Sequence, residues 1–195
     1  MLIDPQSLSE LEIYKLLVGI VVPRPIAWIS TIDSRGIVNL APFSAFTFVS
    51  NMPPLLQVGI WRENGRRKDT ARNIFAQRCF VINIVSEKLL ETAHATSAPY
   101  PPEASEAELL GVELIPGELI SAPRIAGSPV QMECIFHSSI EYGSDGAEAI
   151  VGEVVRFHID DELIGDGKID QRRLAPVARL GGPTYATLGS ILHMP

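Results

Sequence analysis

Arg66, Arg67 and Lys68 stand directly before Asp69 and Thr70, where a helical pattern begins. Cations just outside a helix start can neutralise an anion held by the free first-turn N–H groups and the positive end of the helix dipole. Asp69 or Thr70 is the expected N-cap, with Arg67 and Lys68 outside it. Asp69 would repel a phosphate, so capping is the task that suits it. Five of the sixteen Lys and Arg residues (Arg62, Arg66, Arg67, Lys68 and Arg72) fall in this segment of a chain whose formal charge is -7. The alternative is a solvated charge run with no ligand, which is what most such clusters are.

Upstream, Trp28, Ile29, Ser30 and Thr31 form an apolar run that ends in two hydroxyls. Alternate residues of a strand share a face, so Trp28 and Ser30 point the same way. Asn39, Ala41, Pro42 and Ser44 lie in a second such stretch. Ala and Pro leave room for a planar ring against the backbone, and Asn and Ser can hydrogen-bond to it. Apolar strands leading into a basic helix start suit a flat ring with a phosphate tail. Each stretch also has a plain reading, barrel core for the first and a turn Asn with an edge Pro for the second.

The elements that would position these residues follow from spacing. Ser9-Glu-Leu-Glu12 is a capping-box pattern, and Leu11, Tyr14 and Leu17 recur at helical intervals, which predicts a helix over 9–18. Strands are expected over 26–32 and 37–41, joined by Asp33–Gly36. Further strands are expected at 43–49 and, after Pro53-Pro54, at 55–61. A helix over 70–77, a buried strand over 79–85 and a second helix over 86–93 come next. Residues 96–108, rich in Pro, Ser, Ala and Glu, read as a long surface loop of the functional or mobile kind. Two long antiparallel strands over 130–141 and 148–159 flank a turn at Gly143–Gly146. Many strands with few helices predict a mainly β architecture, a closed or partly closed barrel with added helices. A chain of 195 residues fits one domain, taken here as 1–195.

Composition excludes several classes. Net negative charge argues against nucleic acid as the main partner. The apolar stretch 16–32 is broken by Pro23, Arg24 and Pro25, so no membrane span is expected, and nothing at the start resembles a signal peptide. Cys79 and Cys134 sit in apolar runs without CxxC spacing and read as buried thiols of a soluble, cytoplasmic protein. The four histidines lack zinc-site spacing, and Asp160, Asp161, Glu162, Asp166 and Asp170 lack the calcium-loop pattern, so no metal is expected. No GxSxG, Walker or GxGxxG motif occurs. Arg179-Leu-Gly-Gly with Tyr185 reads by itself as a loop that closes the barrel.

The order of Pro23-Arg-Pro-Ile-Ala-Trp, Lys68-Asp-Thr, Cys79-Phe-Val-Ile-Asn-Ile-Val-Ser-Glu, Ala95-Thr-Ser-Ala, Ser128-Pro-Val-Gln-Met-Glu-Cys, Ile150-Val-Gly-Glu-Val-Val and Arg179-Leu-Gly-Gly-Pro-Thr-Tyr closely resembles the flavin reductase-like, FMN-binding split-barrel family. The resemblance covers nearly the whole chain. It implies FMN bound at a homodimer interface. It also implies that the strand Trp28, Ile29, Ser30, Thr31 lines the flavin, with its backbone bonded to the ring edge, and that Asn39, Ala41 and Pro42 form a second wall. Ser44 would lie near the ribityl phosphate. Lys68, Asp69 and Thr70 would form the phosphate side, with Arg67 just outside it, and Arg179 or Tyr185 would approach the ring, from the same or the partner subunit.

The resemblance further implies an NAD(P)H:flavin oxidoreductase in which hydride passes from NADH or NADPH to flavin N5. The flavin carries that chemistry, so no catalytic side chain is required. With no Rossmann motif, the nicotinamide would bind only transiently. Reduced flavin would then supply a monooxygenase or another electron acceptor. The alternative on the same fold is an electron carrier or flavin-storage protein without reductase turnover.

Overall fold

The computed structural model describes residues 1–144 and 146–194. Asp145, in the expected Gly143–Gly146 turn, lies outside them. Its strands are β1 (Arg24–Pro25), β2 (Ala27–Ile32), β3 (Val38–Phe43), β4 (Phe46–Asn51), β5 (Pro54–Ile60), β6 (Cys79–Ile84), β7 (Leu114–Ile115), β8 (Arg124–Ile125), β9 (Val130–Tyr142) and β10 (Ala147–Ile159). Two-residue strands follow: β11 (Ile164–Gly165), β12 (Lys168–Ile169), β13 (Ala178–Arg179) and β14 (Tyr185–Ala186). The helices are α1 (Glu10–Ile20), α2 (Asp69–Gln77), α3 (Leu90–Ala95), α4 (Glu106–Leu110) and α5 (Gln171–Leu174).

Seven strands form one antiparallel sheet in the order β3-β2-β6-β9-β10-β5-β4. β3 and β4 are its two edges, yet only Ser44 and Ala45 separate them along the chain. The sheet must therefore curl until its edges meet, and there the Gly59 N–H donates to the Ala45 carbonyl at 2.7 Å. The result is mainly β, a split barrel with added helices.

Alternation along each strand divides the core. Ala27 and Ile29 point into the barrel with Val58, Ile60, Phe80, Ile82, Cys134 and Ile150, and Ala71 and Ile74 of α2 pack on the same cluster. Gly152 leaves room there for the Phe80 ring, because a Cβ at that position would lie 2.8 Å from Phe80 Cε1. Ile26, Trp28 and Leu40 face the other way and pack with Val85, Ala93, Ala107 and Ile125. Both cysteines are free and buried, and burial pushes the Cys134 thiol up.

Ser9 caps α1 through the expected capping box, both halves of which are present. The expected break between 41 and 43 falls later, since β3 continues through Pro42 and Phe43 and the chain turns at Ser44–Ala45. The helix expected over 86–93 divides into a 3-10 turn, Glu87–Leu89, and α3. The 96–108 loop ends inside α4, whose Glu106 and Ala107 are buried. No helix among the described residues is long and apolar enough to cross a membrane.

Candidate functional site

A cavity of about 620 Å³ opens between β3, the segment 63–72 and the loop 96–102. That volume suits a cofactor-sized ligand, for which clefts run to about 300–1,000 Å³. One wall is Asn39, Ala41, Pro42 and Phe43; the facing wall carries Arg66, Arg67, Lys68, Asp69, Thr70 and Arg72. The structure thus brings together seven of the expected site residues. A smaller recess of about 30 Å³ adjoins it and shares Pro42 and Phe43. Ser44, Arg179 and Tyr185 line this recess with His94.

The start of α2 faces the large cavity. Lys68, not Asp69 or Thr70, is the N-cap, and it makes no side-chain capping bond. Asp69 falls one position too late to cap; its carboxylate pairs with Arg72 at 2.5 Å. Thr70 is also committed elsewhere, because its Oγ1 accepts the Asn39 Nδ2 at 2.8 Å. The first-turn N–H groups of this nine-residue helix therefore lack the side-chain acceptor that Ser9 gives α1. Uncapped amides beside Lys68 and Arg66 could hold an anion.

Arg67 lines the cavity, but its guanidinium is already engaged. It contacts both oxygens of Glu148 at 2.8–3.0 Å and lies 4.0 Å from the Phe75 ring centroid. Arg62 adds a 3.2 Å contact to the same carboxylate. The Arg67 hydrogen bonds hold the nearly buried Glu148 carboxyl below the usual range, against the upward push of burial. Arg67 braces the bend at 62–67 more directly than it faces a ligand.

Trp28, Ile29, Ser30 and Thr31 depart from expectation. Their side chains are fully buried and none lines either cavity. β2 is an inner strand with β3 on one side and β6 on the other, so the ladders occupy its backbone over Ala27–Ser30. Trp28 Nε1 donates to Thr96 Oγ1 at 3.0 Å, and Asn73 Nδ2 donates to Thr31 Oγ1 at 3.1 Å. Trp28 and Ser30 do share a face, as Asn83 Nδ2 donates to the Trp28 carbonyl and to Ser30 Oγ. This strand supports the cavity walls from behind.

Ser44 also departs from its expected place beside the phosphate side. It lies past the end of β3, in the recess, where Arg24 Nε donates to its Oγ at 3.4 Å. Arg179 and Tyr185 meet there: Arg179 Nη1 donates to Tyr185 Oη at 2.5 Å, and His94 Nδ1 lies 2.8 Å from the same oxygen. β13 positions Arg179 by pairing with β1, which sets it opposite Arg24.

Two contributors to the site were not singled out from sequence. His94 is one of four histidines without metal-site spacing, and only the fold brings it to Tyr185. Glu106 lines the large cavity from α4 although it is just 7% exposed. Burial raises its carboxyl, the N–H groups of Leu40 and of Glu106 itself pull it back down, and the charge of Asp69 adds to the rise.

Residues 19–175 match the flavin reductase like domain. The chain belongs to this family. Among curated relatives, an uncharacterized protein of Halalkalibacterium halodurans is 40% identical over all of this chain and 95% of its own length. The uncharacterized protein YwrF of Bacillus subtilis is 38% identical over 94% of this chain and 92% of its own. Among solved structures, nitrilotriacetate monooxygenase component B from Bacillus cereus superposes with a TM-score of 0.97 at 36% identity, covering 100% of this chain and 98% of its own. The 2-nitrobenzoate 2-nitroreductase NbaA of Pseudomonas fluorescens follows at 0.89 and 31%, covering 100% and 95%.

A flavin fits what the structure offers. The uncapped helix start and Lys68 suit its phosphate, and Ala41, Pro42 and Phe43 offer an apolar wall to its ring.

Proposed function

We propose that this member of the flavin reductase-like family is a one-domain, cytoplasmic, FMN-dependent NAD(P)H oxidoreductase. The observation that carries the reading is the uncapped start of α2 beside Lys68, opening into a cavity of cofactor size. Bound flavin would supply two-electron redox chemistry there. The chain's own residues supply position. Lys68 and the first-turn amides of α2 hold the terminal phosphate, while Arg67, locked to Glu148, fixes the bend that carries Lys68. Pro42 and Phe43 wall both the cavity and the recess, so a ring against them reaches towards Tyr185 and His94. A monophosphate site favours FMN over FAD, and titration with both flavins should show the tighter constant for FMN.

The working unit in this reading is a homodimer with the flavin at the subunit interface. Exposed apolar side chains support it: Leu11, Tyr14, Leu17 and Ile20 on α1, and Phe48, Val49 and Met52 on and beside β4. α1 buries no residue within its own chain. The likeness to a monooxygenase component favours a partner oxygenase as the consumer of reduced flavin.

The test is anaerobic mixing of the FMN-loaded protein with NADH and with NADPH. Rapid loss of the oxidised-flavin absorbance is expected with at least one of them. Stable FMN binding with no bleaching by either would leave the carrier or storage alternative.

A further inference from the structure

Glu106 stands apart from the other charged residues of the cavity. It is the first residue of α4, it is 7% exposed, and it lines the cavity together with Asn39 and Thr70, whose mutual hydrogen bond joins the two walls. No cation pairs with it among the described residues, whereas Asp69, which also lines the cavity, has Arg72. A buried carboxylate without a cation is costly unless hydrogen bonds satisfy it. The fold provides one donor from a distant element, the Leu40 N–H of β3, at 2.9 Å from Oε2. A carboxylate accepts at about four lone-pair sites, so acceptor capacity is left over.

What could use that capacity is constrained by charge. A phosphate beside Glu106 would be repelled, and it has a better site at the start of α2. A cationic ligand group would be repelled by Lys68 and Arg66, which line the same cavity. A neutral hydroxyl fits: it donates to a carboxylate and tolerates the nearby cations. The Asn39 and Thr70 pair is suited to hydroxyls too. Thr70 Oγ1 already accepts from Asn39, so its own hydrogen is available to donate, and it has no acceptor among the described residues.

We propose that Glu106 is a specificity-determining residue that receives the hydroxyl groups of the ligand's sugar-alcohol chain. This rests on the flavin reading above. It divides the cavity by chemistry, with the phosphate at Lys68 and the neutral polyol at Glu106, Asn39 and Thr70. It also disfavours ligands that carry a second anionic group along the chain.

The experiment is a binding cycle on the intact protein, read by flavin fluorescence and not by turnover. Riboflavin and a flavin bearing an unsubstituted pentyl chain are titrated into the parent protein and into Glu106→Gln, which keeps an acceptor for Leu40. Riboflavin should bind the variant about tenfold more weakly, as expected for a lost hydrogen bond to a charged acceptor. The pentyl flavin should bind both proteins alike, and on the parent it should bind more weakly than riboflavin. Equal changes for both flavins, or none, would overturn the proposal and leave Glu106 as an acceptor for Leu40 alone. Should the variant not fold, the comparison on the parent protein still decides, because equal affinity for the two flavins refutes hydroxyl recognition. A parent protein that binds neither riboflavin nor FMN would instead overturn the flavin reading itself.

Discussion

Arg67 grips Glu148 through two nitrogens, with Nε and Nη2 lying 2.8–3.0 Å from the carboxylate oxygens. Glu148 has a side-chain exposure of only 3% and comes from β10, so this pair ties the 62–67 bend to the barrel wall. The cluster that looks like one basic patch is thus divided, with Arg67 bonded to the fold and Lys68 standing at the helix start.

Replacing Arg67 by Ala leaves Glu148 with Arg62 as its remaining cation. A carboxylate this buried should lose about 2 kcal/mol of folding free energy with that partner. Urea denaturation of the two proteins measures it. A difference below about 0.5 kcal/mol would mean that the pair is only a surface ion pair.

Lys68→Ala should behave in the opposite way. The helix loses no side-chain cap, since Lys68 provides none, so the melting temperature should hardly move. FMN affinity should fall about tenfold or more, the worth of a charge-assisted contact to phosphate. Titration of both proteins with FMN checks this, and an unchanged constant would remove Lys68 from the site.

Glu133 sets an acid limit on stability. Burial pushes its carboxyl up, but the N–H groups of Glu118 and Leu119, each at 2.8 Å, together with His158 outweigh it and hold the carboxyl below the ordinary 4.5. A folded-state value below the unfolded one adds stability above the unfolded value, and that stability drains away as pH falls through the folded value. Stability should therefore drop on acidification below about pH 4.5, and the drop should be shallower in Glu133→Gln. Denaturant titrations at a series of pH values give both slopes; parallel slopes would exclude Glu133 as a source.

A flavin site shared by two chains makes dimer stability and flavin affinity reciprocal. Added FMN should then hold the dimer together on dilution, which sedimentation velocity with and without FMN shows directly. A flavin-loaded monomer of full affinity would refute the shared site.

Much of this was legible in the residues because it is local. The Ser9 capping box, the long β9 and β10 strands and the basic run before α2 each depend on near neighbours in sequence. The residues alone say less where distant segments decide. Trp28 to Thr31 read as core residue by residue and as flavin wall by resemblance; their side chains are buried because β6 covers the second edge of β2. The cap of α2 moved by one residue because Asp69 pairs with Arg72 and Thr70 with Asn39. Ser44 is set near the phosphate by the family resemblance alone, whereas the turn at Ser44–Ala45 carries it into the recess beside Arg24. Glu106, in a stretch resembling any acidic loop, becomes notable only when α4 sets it against Leu40.

The short Ser44–Ala45 connection also governs how the protein can move. Because the two outermost strands of the sheet are consecutive in the chain, the barrel is laced at its seam by covalent bonds, and β3 and β4 cannot part to admit a ligand. Entry and exit then fall to the loop 96–102 that lines the cavity, because the Arg67–Glu148 pair ties the 62–67 bend to the barrel wall. Ligand exchange should accordingly track the loosening of that one loop, with the barrel and the 62–67 bend acting as a rigid frame.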